Sequence, residues 1–537
     1  MRSDLTNPSR DGYGAGRQRR NVLFLACLGA VCAAAAYVGA VPTRKFGHDL
    51  FFLLDNGWRV FNGQRPHLDF TSPWGALSFL VVGAGMALSH GSVNAIGYAN
   101  ALFAFVLSLW GYRLSRDAVS FVPRFFICLY LALLLVSPYP LGWGTVNSSH
   151  AMYYNRYGYV LLGLVMIEAF RRTAATEWEE KIGGASTGVV AALLLFLKAN
   201  YFGVVLLMIG ASFLLGRRSK ARLSAMTLGF FLTSLAFLTY LDFDAAAFYH
   251  DLQLAAGARA MSFSYKELLT KLSGNAVYLL FIVLLSWQSS ITMSRQGNDV
   301  PGFTYVFLGF FFFALDMVLL CSNQQYTELP LTVLYSLLLV IEVHRRSGNK
   351  FRARKKAPFR VERLALVAGA TFFFISFFTQ FYGLAYGVVQ KTWPSDSSSL
   401  VRFTEPRLSP LLMYDDKWEP NSNGKRYVEY INSGIRILLA QSRPSDKVLT
   451  MDMMNPFPYS MGRSAPRGGM AAATYNYTFS DGHRPSEAWY FGDADIVMVP
   501  KRPASPIDGL LKNYRSGLDR RFFLAAESDM WFLYKRR

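Results

Sequence analysis

The chain is poor in charge and in cysteine. Of its 537 residues only 17% are charged, against 52% hydrophobic, a balance that argues against an ordinary soluble protein of this length. Four cysteines, Cys27, Cys32, Cys128 and Cys321, all fall within or at the edge of apolar runs, so no disulfide framework is implied. No G-x-G-x-x-G follows a strand-like run, which leaves no dinucleotide-type phosphate loop. No H-x-x-x-H or comparable pair is present, so metal chemistry has no ready-made ligand spacing. The net charge of +20 might suggest nucleic acid, but the basic residues sit in short clusters between apolar runs, at 17–20, 217–222 and 345–363. That is the distribution left by the positive-inside rule and by contact with anionic lipid, and it excludes a nucleic-acid partner.

What is present is apolar sequence in long pieces. Runs near 18 to 26 residues recur, enough to cross about 30 Å of hydrocarbon at roughly 1.5 Å per residue. The expected class is an α-helical polytopic membrane protein of 11 to 13 spans with a C-terminal soluble α/β or α+β domain. Residues 1–20 read as a disordered cytosolic N-terminus, 21–390 as the membrane module with an external loop at 43–73, and 391–537 as the soluble domain. Within the last, 447–451 and 495–499 read as strands and 426–441 as a helix. Spans are expected at about 21–41, 74–90, 95–112, 119–136, 157–170, 185–215 with a break at Lys198, 224–241, 275–292, 301–320, 327–343 and 364–389. Nine Lys or Arg between 345 and 363 anchor that loop on the cytosolic side. Counted back from there, the loop at 43–73 falls inside, whereas the basic N-terminus puts it outside. One early segment must therefore be re-entrant, merged or missed.

The loop at 43–75, TRKFGHDLFFLLDNGWRVFNGQRPHLDFTSPWG, is the principal candidate site. Its residues 50–61 repeat apolar side chains at helical spacing, as a helix lying along a membrane surface would. Asp49 could take a proton from a hydroxyl, or it could cap that helix. Asp55, six positions on, turns away from Asp49 and reads as solvated, and Asp69 reads as structural. His48 and His67 beside these acids leave a divalent cation open without requiring one. Lys198 in FLKANYF interrupts an apolar stretch, where a lysine either snorkels or meets a lipid phosphate. Arg259, with His250 and Lys266, is a second phosphate candidate. Asn155 and Arg156 in MYYNRYGY and Gln324 in SNQQYT supply amide and guanidinium groups suited to a sugar, unless these segments are an interfacial aromatic belt.

The first loop resembles that of bacterial GT-C superfamily glycosyltransferases, polytopic enzymes that use polyprenyl-phosphate sugars. Asp49, Asn62-Gly63, Pro66 and Pro73 stand where many members carry an acid, a helix end and a Pro-rich entry to the next segment. FLKANYF is similar to their lysine-containing break. Many relatives have paired acids where this chain has His48-Asp49. The resemblance implies a bacterial inner-membrane transferase, with its C-terminal domain periplasmic or extracellular. It would move a hexosyl or pentosyl group from a polyprenyl-phosphate carrier to a glycan, lipid or protein acceptor. Asp49 would be the general base, with His48, Lys198, Arg259, Asn155, Arg156 and Gln324 binding substrate. A transporter or flippase for lipid-linked glycans, or an assembly component, is the alternative. Such carriers often break helices in both halves, whereas here one break and no repeat are visible.

Overall fold

The computed structural model describes residues 9–537 apart from 117–118, 171–175, 215–218, 261–264, 295–302, 323–326, 354–360, 396, 416–422 and 504. Fourteen helices come first: α1 (Ser9–Tyr37), α2 (Gly47–Phe61), α3 (Leu77–Leu88), α4 (Ala95–Leu114), α5 (Phe121–Val136), α6 (Tyr153–Ala169) and α7 (Glu177–Leu195), then α8 (Ala199–Leu214), α9 (Lys220–Tyr240), α10 (Ala245–Ala260), α11 (Tyr265–Ser294), α12 (Phe303–Ser322), α13 (Pro330–Ala353) and α14 (Val361–Thr392). Among the described residues, six candidate segments are by length and composition long and apolar enough to cross a membrane: Gly16–Ala40, Ala95–Leu114, Lys220–Tyr240, Tyr265–Ser294, Phe303–Ser322 and Leu364–Thr392. The chain is a multi-pass helical membrane protein. Helix α1 begins at Ser9, so residues 9–20, expected to be disordered, continue the first helix toward the N-terminus. Arg and Gln in that stretch are good helix formers, and the span they extend is already nucleated.

Neighbouring helices meet end to end in alternating directions. Arg156, at the start of α6, donates to the carbonyl of Leu134 at the end of α5. Glu168, at the end of α6, pairs with Arg222 at the start of α9. Tyr201, in the first turn of α8, donates back to the carbonyl of Asn155. The turn between α7 and α8 is the break expected at Lys198, and it makes two helices of the 185–215 stretch.

Helix α3 departs from the expected span at 74–90. Its 12 residues reach roughly 18 Å, well short of about 30 Å of hydrocarbon. Both of its ends lie at the end of the bundle that carries α2. At its start, Gly75 and Leu77 donate to the carbonyls of Leu197 and Phe196 at 3.1 and 2.8 Å. Just past its end, the Gly91 carbonyl accepts from Arg407 and Tyr459 of the C-terminal region at 3.0 and 3.3 Å. Helix α4 then runs antiparallel to α1, bringing Tyr112 to Asn21. Without α3 as a crossing, the helix order α1, α4 to α9 and α11 to α14 agrees with the basic clusters, and the parity conflict in the sequence disappears. Hydropathy counted α3 as a span because it is apolar, but its apolar surface meets protein. A Cβ on Gly57 of α2 would stand 2.5 Å from Val82 of α3, so the two helices are in direct contact at a position only glycine permits.

After α14 come β1 (Leu400–Arg402), β2 (Leu412–Tyr414), α15 (Gly424–Gln441), β3 (Val448–Thr450), α16 (Phe457–Ser460), α17 (Glu487–Phe491), β4 (Ile496–Pro500), α18 (Asp508–Arg521), β5 (Phe522–Glu527) and β6 (Trp531–Arg536). The main sheet runs β3-β4-β6-β5, with β3 parallel to β4 and the other pairs antiparallel. Strand alternation divides its faces. Ile496 and Met498 of β4 join Trp531 and the core shared with the membrane module. Val497 and Val499 join Tyr514 and Leu518 of α18 in a separate core. The sheet is thus built onto the helices rather than tethered beside them.

The position of α3 is checked by labelling single cysteines in a cysteine-free background with a membrane-impermeant reagent. His90→Cys and Asn62→Cys are expected to react from the same side, and Arg116→Cys from the other. Labelling of His90→Cys only from the Arg116 side would show that α3 crosses.

Candidate active site

Helix α2 starts at a left-handed residue, Phe46 (φ 54), with no side-chain cap. Asp49 is therefore not the N-cap; it stands in the first turn, where the helix dipole favours a carboxylate. Its Oδ1 lies 3.3 Å from Nε2 of His48, and both side chains are 16% exposed. The Nδ1 of His48 is buried without a hydrogen-bond partner among the described residues.

One turn further along the same face is Phe52, whose ring meets Trp74 at 5.0 Å and Tyr154 at 6.2 Å. Tyr154 in turn carries the Lys198 ammonium 4.8 Å from its ring centroid. Lys198 is buried, and its Nζ donates to Asn155 Oδ1 at 3.3 Å. Asn155 Nδ2 is buried and has no partner among the described residues. A buried amide N–H left unpaired costs about 1–3 kcal/mol, so it is placed where something else can accept from it. The Phe52 and Tyr154 rings thus connect the helix turn that carries Asp49 to the buried Lys198–Asn155 pair.

The aromatic segment around Asn155 is not an interfacial belt. Tyr153, Tyr154, Tyr157 and Tyr159 are all buried, and tight helix packing explains it. A Cβ on Gly158 would lie 2.5 Å from the Tyr201 ring. Arg156, expected to bind substrate, is 1% exposed and serves the fold. It donates to Gln380 Oε1 at 3.0 Å and to the carbonyls of Leu134 and Tyr139, with its guanidinium 4.7 Å over the Tyr139 ring. Those bonds hold the 137–152 loop against α14, where Glu328 accepts from Tyr139, Gly142 and Gln380. Gln324 lies outside the described residues. Arg259 lies on α10, with its side chain outside the described part, and His250 and Lys266 are exposed.

Asp55 is a correction. It is 3% exposed and pairs with Arg59 at 3.1 Å. The apparent outward face of α2 is covered by residues 463–471. Arg59 donates to the Pro466 carbonyl at 3.0 Å, Asn56 to Ala471 at 3.1 Å, Trp58 to Arg463 at 2.8 Å and Gln64 to Ala465 at 2.7 Å. Thr71 and Gly469, and Ala471 and Thr71, exchange main-chain bonds at 3.1 and 2.8 Å. Asp69 is structural, as expected, accepting from Arg65 N at 2.7 Å and pairing with Arg467 at 3.3 Å. Burial pushes the Asp55 carboxyl up to about 6, against the opposing pull of Arg59.

His67 does not approach His48 as a metal partner. Its Nδ1 meets Asp251 of α10 at 2.8 Å, and Asp251 also accepts from Ser72 N at 2.8 Å. Burial raises the Asp251 carboxyl above its ordinary range. Asp251 was not singled out from sequence; its only signal was its place beside His250. Among the described residues no group of three or more His, Cys, Asp or Glu could hold a metal ion.

No protein-family model matches the chain, and no curated protein matches it in sequence. Among solved structures it is similar in overall path to ArnT from Cupriavidus metallidurans bound to undecaprenyl phosphate, at 11% identity and a TM-score of 0.49, covering 96% of this chain and 97% of that one. The apo state of the same protein gives 9% identity and a TM-score of 0.47, covering 97% and 98%.

The Asp55–Arg59 pair makes two predictions. Arg59→Ala strands a buried carboxylate and is expected to cost about 3 kcal/mol, read as a lower melting temperature and faster proteolysis within 463–471. Because the folded-state value of Asp55 is raised, its stabilising contribution is complete below the unfolded value of 3.8 and is lost as pH rises through about 6. The wild-type melting temperature should fall between about pH 4 and about pH 6 relative to Asp55→Asn, in which that component is missing. Parallel pH profiles would refute the assignment.

Proposed function

We propose that this protein is a membrane glycosyltransferase that takes a sugar from a polyprenyl-phosphate carrier and transfers it to a hydroxyl of a cell-envelope glycan, lipid or protein. The observation that carries the reading is the Lys198–Asn155 pair, a buried ammonium beside a buried amide donor without a partner among the described residues, linked through the Tyr154 and Phe52 rings to the helix that bears Asp49. A phosphate accepts hydrogen bonds from both donors and meets a point charge in Lys198. The resemblance of the first loop to GT-C glycosyltransferases agrees with this assignment of ends.

In this reading Asp49 accepts the proton of the acceptor hydroxyl as its oxygen bonds to the anomeric carbon. The bond from that carbon to the phosphate oxygen breaks, and the phosphate leaves with the electron pair, its charge held by Lys198 and the Asn155 amide. A single displacement of this kind inverts the anomeric centre. His48 orients Asp49 through its Nε2, and the Phe52, Trp74 and Tyr154 rings offer faces on which the sugar's C–H surface can stack. The basic end of the bundle at Arg113 and Arg116 supports a cytosolic orientation for that end, and with it a site and C-terminal sheet on the periplasmic or external side of a bacterial inner membrane.

The reading is tested in a deletion strain complemented with variants at matched membrane expression, followed by assay of purified protein with polyprenyl-phosphate sugars. Asp49→Asn is expected to lower transfer by about 10²–10⁴-fold with donor binding kept. Lys198→Gln is expected to weaken donor binding chiefly. Full complementation by Asp49→Asn would sink the general-base role. Movement of the lipid-linked sugar across liposomes without bond formation would identify a flippase instead.

A further inference from the structure

At the end of the bundle opposite Asp49, α1, α4 and α5 enclose an open groove of about 300 Å³. Four arginines line it, Arg17, Arg113, Arg116 and Arg124, and no acidic residue is among its described lining. Like charges gathered at one concavity repel unless an anion is shared between them. The polar part is already built. Tyr112 stacks flat on Phe24, ring centroids 4.0 Å apart, and donates to Asn21 Oδ1 at 2.9 Å. Arg124 lies with its guanidinium 4.4 Å over the Tyr112 ring and donates to the Tyr112 hydroxyl at 3.3 Å and to the Arg116 carbonyl at 3.2 Å. Its Nε is buried without a partner among the described residues.

The groove also has an apolar side. Leu25 and Leu109 line it, and beyond them Leu102 and Val106 continue along α4 at helical spacing, 43% and 48% exposed. In a chain embedded in a bilayer that strip meets acyl chains. We propose that this groove binds one anionic phospholipid, its phosphate shared by the guanidinium groups of Arg17, Arg113 and Arg124 and one acyl chain lying on the α1–α4 strip. The apolar strip selects a lipid over free phosphate. Planar guanidinium forks select the phosphate over a zwitterionic headgroup, whose own cation they repel. The site is independent of the transfer chemistry and stands whether or not that reading holds.

The test uses full-length protein in nanodiscs of mixed phosphatidylglycerol and phosphatidylcholine, extracted gently and weighed by native mass spectrometry. Wild type should retain one phosphatidylglycerol. Arg17→Gln/Arg113→Gln leaves the Arg124–Tyr112–Asn21 network intact and is expected to lose that lipid by about tenfold or more. Lys220→Gln, an exposed cation at the same end but outside the groove, should keep it. Equal retention by the double variant, equal loss in Lys220→Gln, or equal retention of phosphatidylcholine would overturn the site. Displacement of the lipid by inorganic phosphate would reassign it to a soluble anion. Circular dichroism of each variant separates loss of lipid from loss of fold. As a second readout, added phosphatidylglycerol should raise the melting temperature of wild type and leave that of the double variant unmoved.

Discussion

The contact on which the arrangement rests is the seam between α2 and residues 463–471. An interfacial helix has one apolar face for the core and one polar face for water, and α2 has buried both. Its polar face is satisfied by main-chain carbonyls from the C-terminal region, with the Asp55–Arg59 pair at the centre. Removing two charges from water costs several kcal/mol per ion, recovered only when each partner is fully bonded. Arg59 meets that condition with a carboxylate, carbonyls and the Phe70 ring, whereas Asp55 Oδ1 is buried without a partner among the described residues, in keeping with its raised carboxyl. The seam fixes α2, and α2 fixes the orientation of Asp49 and Phe52.

A second constraint holds the other end of the site. The turn carrying Lys198 is bonded through Phe196 and Leu197 to the start of α3, and α3 packs on α2 through Gly57. Asp49 and Lys198 are thus set by two paths that meet in one pair of helices. A Cβ on Gly75 would fall 2.1 Å from the Phe196 carbonyl, so the path has no slack where it leaves the first loop. The sheet, the first loop and the α7–α8 turn form a single support for the site.

The polytopic plan, the C-terminal sheet, the two strands read at 447–451 and 495–499 and the break at Lys198 were legible because each is written in local periodicity or its interruption. Helix α2 was legible for the same reason. The burial of Asp55 was not, because its cover comes from residues more than four hundred positions away, and a helix's polar face looks alike whether water or carbonyls meet it. The apolar composition of α3 read as a span because hydropathy does not distinguish lipid from protein as the neighbour. Arg156 looked like a ligand group for the complementary reason. A guanidinium among aromatics has the same composition in a binding site as in a packed corner, and only its bonds to Leu134, Tyr139 and Gln380 tell them apart.

The seam also sets a timetable. Asn56 and Ala471 are separated by 415 positions and Trp58 and Arg463 by 405. At about 5–20 residues synthesised per second, α2 waits roughly 20–80 s after its own emergence before the segment that covers it exists. Throughout that interval the membrane helices can insert and pack, while a buried-type ion pair and a row of amide and indole donors face solvent or the insertion machinery. Assembly of the candidate site therefore waits until helices α1 to α14 have all been synthesised. A ribosome that stops between residues 393 and 463 leaves a chain with helices α1 to α14 and no cover for α2.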